Sequence, residues 1–171
     1  FNTTGPELWQ QTNGNIDGFI CAVGSGGTLA GVAKFLKNKN RDIKIGLSDP
    51  FGSALYNFFE TNEMKSDGNS VTEGIGQGRI TKNLEGFLPD YSFKISDHQA
   101  ILEIQNTLRL EGLYLGGSSG MNIYGAFLLA KELGPGHTIC TILCDSGQRY
   151  ESKIWNHEFL QSKKLPIPEW L

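Results

Sequence analysis

The chain has 171 residues and a formal net charge of -3, with 15 basic and 18 acidic side chains. This length suffices for one domain with a buried core, and the mixed charges offer no basic stripe of the kind that binds nucleic acid. The apolar runs are too short to cross a bilayer and no basic-then-apolar leader opens the sequence, so we expect neither a membrane span nor a secretory signal.

Three cysteines are an odd number, which argues against a disulfide framework. Cys21, Cys140 and Cys144 each lie in an apolar, strand-like run, where cysteine behaves as a small buried hydrophobe. No further soft ligand is spaced to complete a zinc site, and we expect the three histidines to be solvated or to cap helices. The sequence therefore predicts no metal and a reducing, cytoplasmic setting.

Strand-like and helix-like segments alternate through the first half of the chain. The sequence predicts a strand over 16–23, a helix over 28–38, a strand over 43–48 that Asp49-Pro50 ends, and a short helix over 53–59. Residues 61–78 are polar and rich in glycine and are predicted to form a long loop. Loops of that length in compact domains are often functional.

The second half continues the same alternation. A brief strand over 91–95 leads into a helix over 97–111, which begins at a capping box of Ser96 and Gln99 and stops at Gly112. The glycine–serine turn 116–120 opens another helix that runs through Leu133, and 134–136 breaks it. A last strand over 138–144, a turn over 145–147 and an extended tail follow.

This alternation is typical of one α/β domain, here residues 1–171, built on a parallel sheet. Ligands of such sheets sit at the carboxyl ends of the strands. The turns 24–28, 116–120 and 145–147 all lie at strand-to-helix transitions, so the sequence predicts one cleft where they converge.

The first of these turns is the most informative stretch, and it consists of Gly24, Ser25, Gly26, Gly27 and Thr28. Its glycines allow positive φ and close backbone approach, and free N–H groups at a helix N-terminus suit a phosphate. The hydroxyls of Ser25 and Thr28 add donors. The alternative is a glycine-rich connector that serves only as a turn.

The kind of phosphate ligand follows from what this turn lacks. A dinucleotide fingerprint fails because Leu29 stands at its last glycine position, and a Walker loop fails because no lysine precedes Thr28. The pattern favours a single terminal phosphate over a pyrophosphate.

Five stretches of the chain together resemble a known family. They are residues 2–9, 24–28, 73–76, 117–120 and 146–150. These stretches occur in the order that the family has and at similar spacing. They are similar to the C-terminal part of cysteine synthase (O-acetylserine sulfhydrylase), a pyridoxal-phosphate enzyme of the fold type II group that includes cystathionine β-synthase. The resemblance implies an α/β fold with an open, mostly parallel sheet and helices on both faces.

The resemblance also implies roles for individual residues. The turn from Gly24 to Thr28 would cradle the phosphate of the cofactor, pyridoxal 5'-phosphate. Ser146 would face the pyridine nitrogen, with an ordinary turn serine as the alternative, and the adjacent Asp145 leaves open some charge there. A second segment, Gly74, Ile75 and Gly76, would line the substrate side of the ring.

Some parts of the family pattern are not in this chain. The Schiff-base lysine, an asparagine beside the cofactor's 3′ oxygen and the loop for the substrate carboxylate lie upstream of the first matched segment in the family. No catalytic residue is therefore assigned here, and we expect this chain to be inactive without the missing N-terminal half. Apolar surface for that half is expected at Phe1, Trp9, 58–59 and 170–171.

By resemblance, the whole enzyme would be a homodimer that makes L-cysteine and acetate from O-acetyl-L-serine and sulfide. Two alternatives remain open at this point. One is a cystathionine β-synthase-type enzyme acting on serine and homocysteine. The other is a truncated, non-catalytic protein that binds a phosphorylated ligand.

Overall fold

The computed structural model of the chain describes residues 1–171. Its six α-helices are α1 (Thr4–Gln11), α2 (Gly27–Lys39), α3 (Leu55–Thr61), α4 (Asp97–Glu111), α5 (Gly117–Leu133) and α6 (His157–Ser162). Its four strands are β1 (Gly18–Ala22), β2 (Lys44–Pro50), β3 (Tyr91–Ile95) and β4 (Ile139–Cys140). Short 3-10 turns cover Lys82–Leu84 and Gly147–Tyr150.

The four strands form one parallel sheet in the order β3-β2-β1-β4. In its register Gly18 lies opposite both Lys44 of β2 and Ile139 of β4. All carboxyl ends therefore meet at one edge, which confirms the predicted parallel α/β architecture.

Helices cover both faces of this sheet, as the resemblance implied. On one face Phe19 and Cys21 pack into a buried cluster with Leu29 and Leu36 of α2. On the other face α5 crosses β1, β2 and β3, and α4 packs on its outer side. The close approach of α5 depends on Gly125, since a Cβ there would collide with the Ser48 side chain of β2.

The predicted last strand, residues 138–144, is much shorter in the structure. Only Ile139 and Cys140 pair with β1. Beyond them the buried Asn122 of α5 inserts its amide, accepting from the Ala22 N–H at 2.6 Å and donating to the Ile142 carbonyl at 2.7 Å. The backbone groups are thus satisfied by a side chain instead of by a ladder.

Other element boundaries differ in smaller ways. β2 does not stop before Asp49-Pro50 but ends at Pro50, which pairs with β3 at a point where β1 no longer runs alongside. A proline is tolerated at such a position because no ladder bond is lost on the free side. The short helix runs two residues later than predicted, and α1 and α6 were not predicted.

Helix α4 begins as predicted. Both hydrogen bonds of the capping box between Ser96 and Gln99 are present, and Gly112 ends the helix in the left-handed region at a φ of 72°. No helix of the chain combines the length and the apolar character needed to cross a lipid bilayer.

Candidate functional site

A cavity of about 250 Å³ opens at the carboxyl end of β1. Its first wall is the turn into α2, which contributes Gly24, Ser25, Gly26 and Thr28. The N-cap of α2 is Gly26, with a φ of 84°, where a Cβ would also lie 2.7 Å from Leu84. This position therefore requires glycine on both conformational and steric grounds.

The N-terminus of α2 presents unpaired donors to this wall. The amides of Thr28 and Leu29 have no backbone acceptor within the chain, and the first turn of α2 contains no acidic side chain. Free amides and the positive end of a 13-residue helix are favourable for an anion. The residues present therefore fit a phosphate group.

Two side chains outside the turn hold it in shape. Thr81 and Asn83 both donate to the Ser25 carbonyl, at 2.8 and 3.0 Å. Because a trans peptide points its C=O and N–H in opposite directions, these bonds direct the Gly26 N–H to the opposite side. Neither residue was predicted from the sequence, where nothing distinguishes them from other polar loop residues.

The second wall is the segment Glu73–Ile75 of the long loop. The Gly76 amide donates to the Val23 carbonyl at 3.0 Å, which fastens this segment to the end of β1. A Cβ at Gly24 would lie only 2.6 Å from the Gly74 carbonyl oxygen, so the two backbones touch directly. Nothing lies within 4 Å of a Cβ position at Gly74, which leaves open space above the bare backbone.

The third wall combines the start of α5 with the turn after β4, and it contributes Ser118, Cys144 and Asp145. Three hydrogen bonds join these segments. The Cys144 amide donates to Ser119 Oγ, the Gly116 amide to the Asp145 carbonyl, and the Gly147 amide to the Tyr114 carbonyl, each at 2.9 Å. The turn is therefore fixed relative to the N-terminus of α5.

Asp145 and Ser146 make different contacts. One Asp145 oxygen, Oδ2, accepts from the Tyr150 hydroxyl at 2.7 Å and lies 3.2 Å from Arg149 Nη1. That hydrogen bond, together with burial, raises the pKa of Tyr150 to about 12. The Ser146 hydroxyl is solvent-exposed and accepts only a long bond, 3.4 Å, from the Gln148 amide, so it remains available to a ligand.

One cysteine differs from the sequence expectation. Cys144 was predicted to be a buried hydrophobe, but it is exposed and lines the cavity, because β4 ends at Cys140 and Cys144 therefore lies beyond the sheet. Cys140 is half-buried and Cys21 is buried. Burial raises the pKa of the Cys21 thiol, which makes it unreactive.

Most of the predicted site residues meet at this cavity. Those that line it are Gly24, Ser25, Gly26, Thr28, Gly74 and Ile75. Those that adjoin it in sequence without lining it are Gly27, Gly76 and Ser146. Their roles toward a ligand stay predictions.

Comparison with known proteins gives one family. The family described as "Pyridoxal-phosphate dependent enzyme" matches residues 1–145. Cysteine synthase 1 of Neurospora crassa is 45% identical over 99% of this chain and 47% of its own length. Cysteine synthase 2 of Schizosaccharomyces pombe is 40% identical over 99% and 46%.

The chain is also similar to proteins that carry a different name. The O-acetylserine dependent cystathionine beta-synthase of Bacillus subtilis is 39% identical over 90% of this chain and 48% of its own length. The crystal structure of the Helicobacter pylori protein of that name superposes with a TM-score of 0.79 at 32% identity, covering 87% of this chain and 46% of the other. The chain thus spans about half the length of the relatives it matches.

Proposed function

The chain belongs to the family of pyridoxal-phosphate dependent enzymes, and from that premise we propose that it is the C-terminal part of a cysteine synthase. The whole protein would form L-cysteine and acetate from O-acetyl-L-serine and sulfide. Cysteine synthases that match 99% of the chain support this activity. The part of the protein that carries the Schiff-base lysine would lie outside these residues.

The observation that carries the proposal is the cluster of free amides at the start of α2. These amides open into the same cavity as the bare backbone of Gly74 and the turn before Ser146. When bound, pyridoxal phosphate supplies an electron sink for replacement at the β-carbon of an amino acid. The chain's own part is to bind the phosphate, to let the substrate approach over glycine backbone, and to place the Ser146 hydroxyl at the ring nitrogen.

A second candidate activity is favoured by the B. subtilis and H. pylori relatives, which are named O-acetylserine dependent cystathionine beta-synthases. The two activities share the first substrate and differ in the nucleophile, which is sulfide in one and homocysteine in the other. The segment 73–76 and Ser146 fit both activities.

We also propose a cytoplasmic homodimer as the state of the whole protein. An odd number of cysteines in apolar segments fits a reducing compartment. Exposed apolar side chains such as Leu88 and Trp170 support burial against further protein.

Product analysis distinguishes the candidate activities. The protein expressed from its complete reading frame is given O-acetyl-L-serine with sulfide or with homocysteine, and L-cysteine, cystathionine and acetate are quantified. Cysteine and acetate in equal amounts support the first activity, and cystathionine formation at a higher kcat/KM supports the second. If the cofactor-loaded protein forms neither L-cysteine nor cystathionine, both candidate activities are contradicted.

The phosphate site has a test of its own at Gly27. A side chain fits there, because the nearest atoms to a Cβ are 3.6 Å away, and a carboxylate at the first residue of a helix is compatible with folding. We expect Gly27→Asp to weaken pyridoxal-phosphate binding at least about tenfold through charge repulsion, as measured by calorimetry. The neutral Gly27→Asn is the matched control, and equal affinities of the two variants would place the phosphate elsewhere.

A further inference from the structure

Two side chains of different charge follow one another at the turn after β4. Ser146 is the residue proposed to face the ring nitrogen, and Asp145 lines the cavity directly before it. A carboxylate beside a pyridine nitrogen favours its protonated, cationic form, whereas a serine hydroxyl does not. The side chain that reaches the nitrogen therefore decides how strongly the ring withdraws electrons.

The Asp145 carboxylate is held by two neighbours from the following turn. Tyr150 donates its hydroxyl hydrogen to Oδ2 at 2.7 Å, and Arg149 Nη1 lies 3.2 Å from the same oxygen. The Arg149 side chain is 70% exposed, and an exposed ion pair restrains its partners only weakly. Tyr150 is 8% exposed and is the stronger restraint.

Tyr150 is itself fixed by close packing. Its ring lies against the α-carbon of Gly116, where a Cβ would come within 2.5 Å of the ring atom Cε2. The Gly116 amide in turn donates to the Asp145 carbonyl at 2.9 Å. The Tyr150 ring therefore packs on the same Gly116 backbone that hydrogen-bonds to Asp145. The phenol has little freedom to turn away from the carboxylate.

We propose that Tyr150 is a positioning residue which, with Arg149, holds the Asp145 carboxylate away from the cofactor's ring nitrogen and leaves that nitrogen to Ser146. This role depends on the proposed function, since it concerns the bound cofactor. Its consequence is a ring nitrogen that is unprotonated in the loaded protein and becomes protonated when Asp145 is released.

The protonation of the ring nitrogen can be measured directly. The protein expressed from its complete reading frame is loaded with pyridoxal phosphate carrying ¹⁵N in the ring, and the ¹⁵N chemical shift is recorded. We expect the wild type at the position of unprotonated pyridine and Tyr150→Phe shifted toward that of protonated pyridine. In the double variant Tyr150→Phe, Asp145→Asn the signal should return to the wild-type position, because the charge has been removed.

Each failure has a distinct appearance. An unchanged shift in Tyr150→Phe, at equal cofactor occupancy by ³¹P signal, overturns the role of Tyr150, as does a wild-type nitrogen that is already protonated. A wild type that binds no cofactor overturns the proposed function instead. If Tyr150→Phe does not fold, the cofactor-free titration of Tyr150 in Asp145→Asn takes its place, and an unchanged pKa of Tyr150 there overturns the inference.

A cofactor-free measurement checks the pair itself. With ¹³C-labelled tyrosine, the titration of Tyr150 in the chain is followed by its Cζ signal. The pKa of Tyr150 should fall from about 12 toward the ordinary tyrosine value in Asp145→Asn. An unchanged titration would show that the two side chains do not interact and would overturn the inference without reference to any ligand.

Discussion

Asp49, at the end of β2, is a buried carboxylate with an incomplete set of partners. Its Oδ2 accepts from the Tyr56 amide at 2.8 Å, while its Oδ1 has no hydrogen-bond partner. Burial raises the pKa of this carboxyl to about 6, and the hydrogen bond from the Tyr56 amide opposes that rise only in part. Keeping this buried carboxylate ionised at neutral pH therefore lowers the stability of the fold.

This arrangement predicts a pH dependence of stability. The pKa of Asp49 is higher in the folded state, so the folded state binds more protons between pH 4 and 6 and stability falls as pH rises through that window. Asp49→Asn keeps the acceptor for Tyr56 and should remove this loss, which is about 3 kcal/mol at most. Urea unfolding of the chain at several pH values between 4 and 7 measures it.

The control for this titration is Asp42→Asn, which removes an exposed carboxylate from the loop before β2. Its stability should follow the wild type across the pH range. If the unfolding free energy of Asp49→Asn instead changes with pH as that of the wild type does, Asp49 does not titrate in this window.

Single residues of the site show where reading a sequence reaches its limit. The glycines of 24–28 were predictable, because a strand, three glycines and a helix leave few conformations and a free helix end. The bonds from Thr81 and Asn83 to the Ser25 carbonyl were not, because they join residues more than fifty positions apart. The same holds for Tyr150, whose position in the sequence gives no sign of its contact with Gly116.

Among the elements, β4 is the one whose length depends on a side chain from elsewhere. Ile139 to Cys144 reads as a continuous strand, since its apolar and β-branched residues suit a buried sheet. The amide of Asn122 replaces the ladder beyond Cys140, and the Thr141 hydroxyl donates to the Ile20 carbonyl at 2.6 Å. Local propensity cannot anticipate such an insertion of a side chain from α5.

Removing this amide should destabilise the sheet edge. Asn122→Leu keeps the number and branching of the non-hydrogen side-chain atoms but leaves the Ala22 N–H and the Ile142 carbonyl without partners. We expect a loss of about 2 to 4 kcal/mol in the free energy of unfolding, measured by urea denaturation. The exposed Asn38 on α2 provides the comparison, since Asn38→Ala should change stability by less than about 0.5 kcal/mol. Similar losses of stability in Asn122→Leu and Asn38→Ala would show that the Asn122 amide contributes no more than an exposed asparagine.

At the scale of the whole molecule, the parallel sheet and the edge that carries the cavity followed from the sequence. Alternating strands and helices require right-handed crossovers, which bring all carboxyl ends to one side. The relative placement of the cavity walls did not follow, because it depends on backbone contacts such as Gly24 against Gly74. Of the apolar surfaces expected for a partner, Phe1, Trp170 and Leu171 are exposed, while Trp9 and the pair 58–59 are half-buried.

That half-buried pair belongs to an open groove of about 690 Å³ on the side of α3. The groove is lined mainly by apolar side chains, namely Phe58, Phe59, Ile80, Leu84, Phe87 and Leu88. Leu88 is 74% exposed. Contiguous apolar surface of this kind is uncommon on a protein that is alone in solution.

The groove should therefore bind an apolar dye. We expect the isolated chain to enhance the fluorescence of anilinonaphthalene sulfonate, and Leu88→Gln to reduce that enhancement while leaving the unfolding free energy within about 0.5 kcal/mol of wild type. Leu110→Gln changes a similarly exposed leucine on α4, outside the groove, and should leave the enhancement in place. Equal effects of the two substitutions would show that dye binding arises from general loosening of the chain, because a specific groove loses affinity only when its own lining changes.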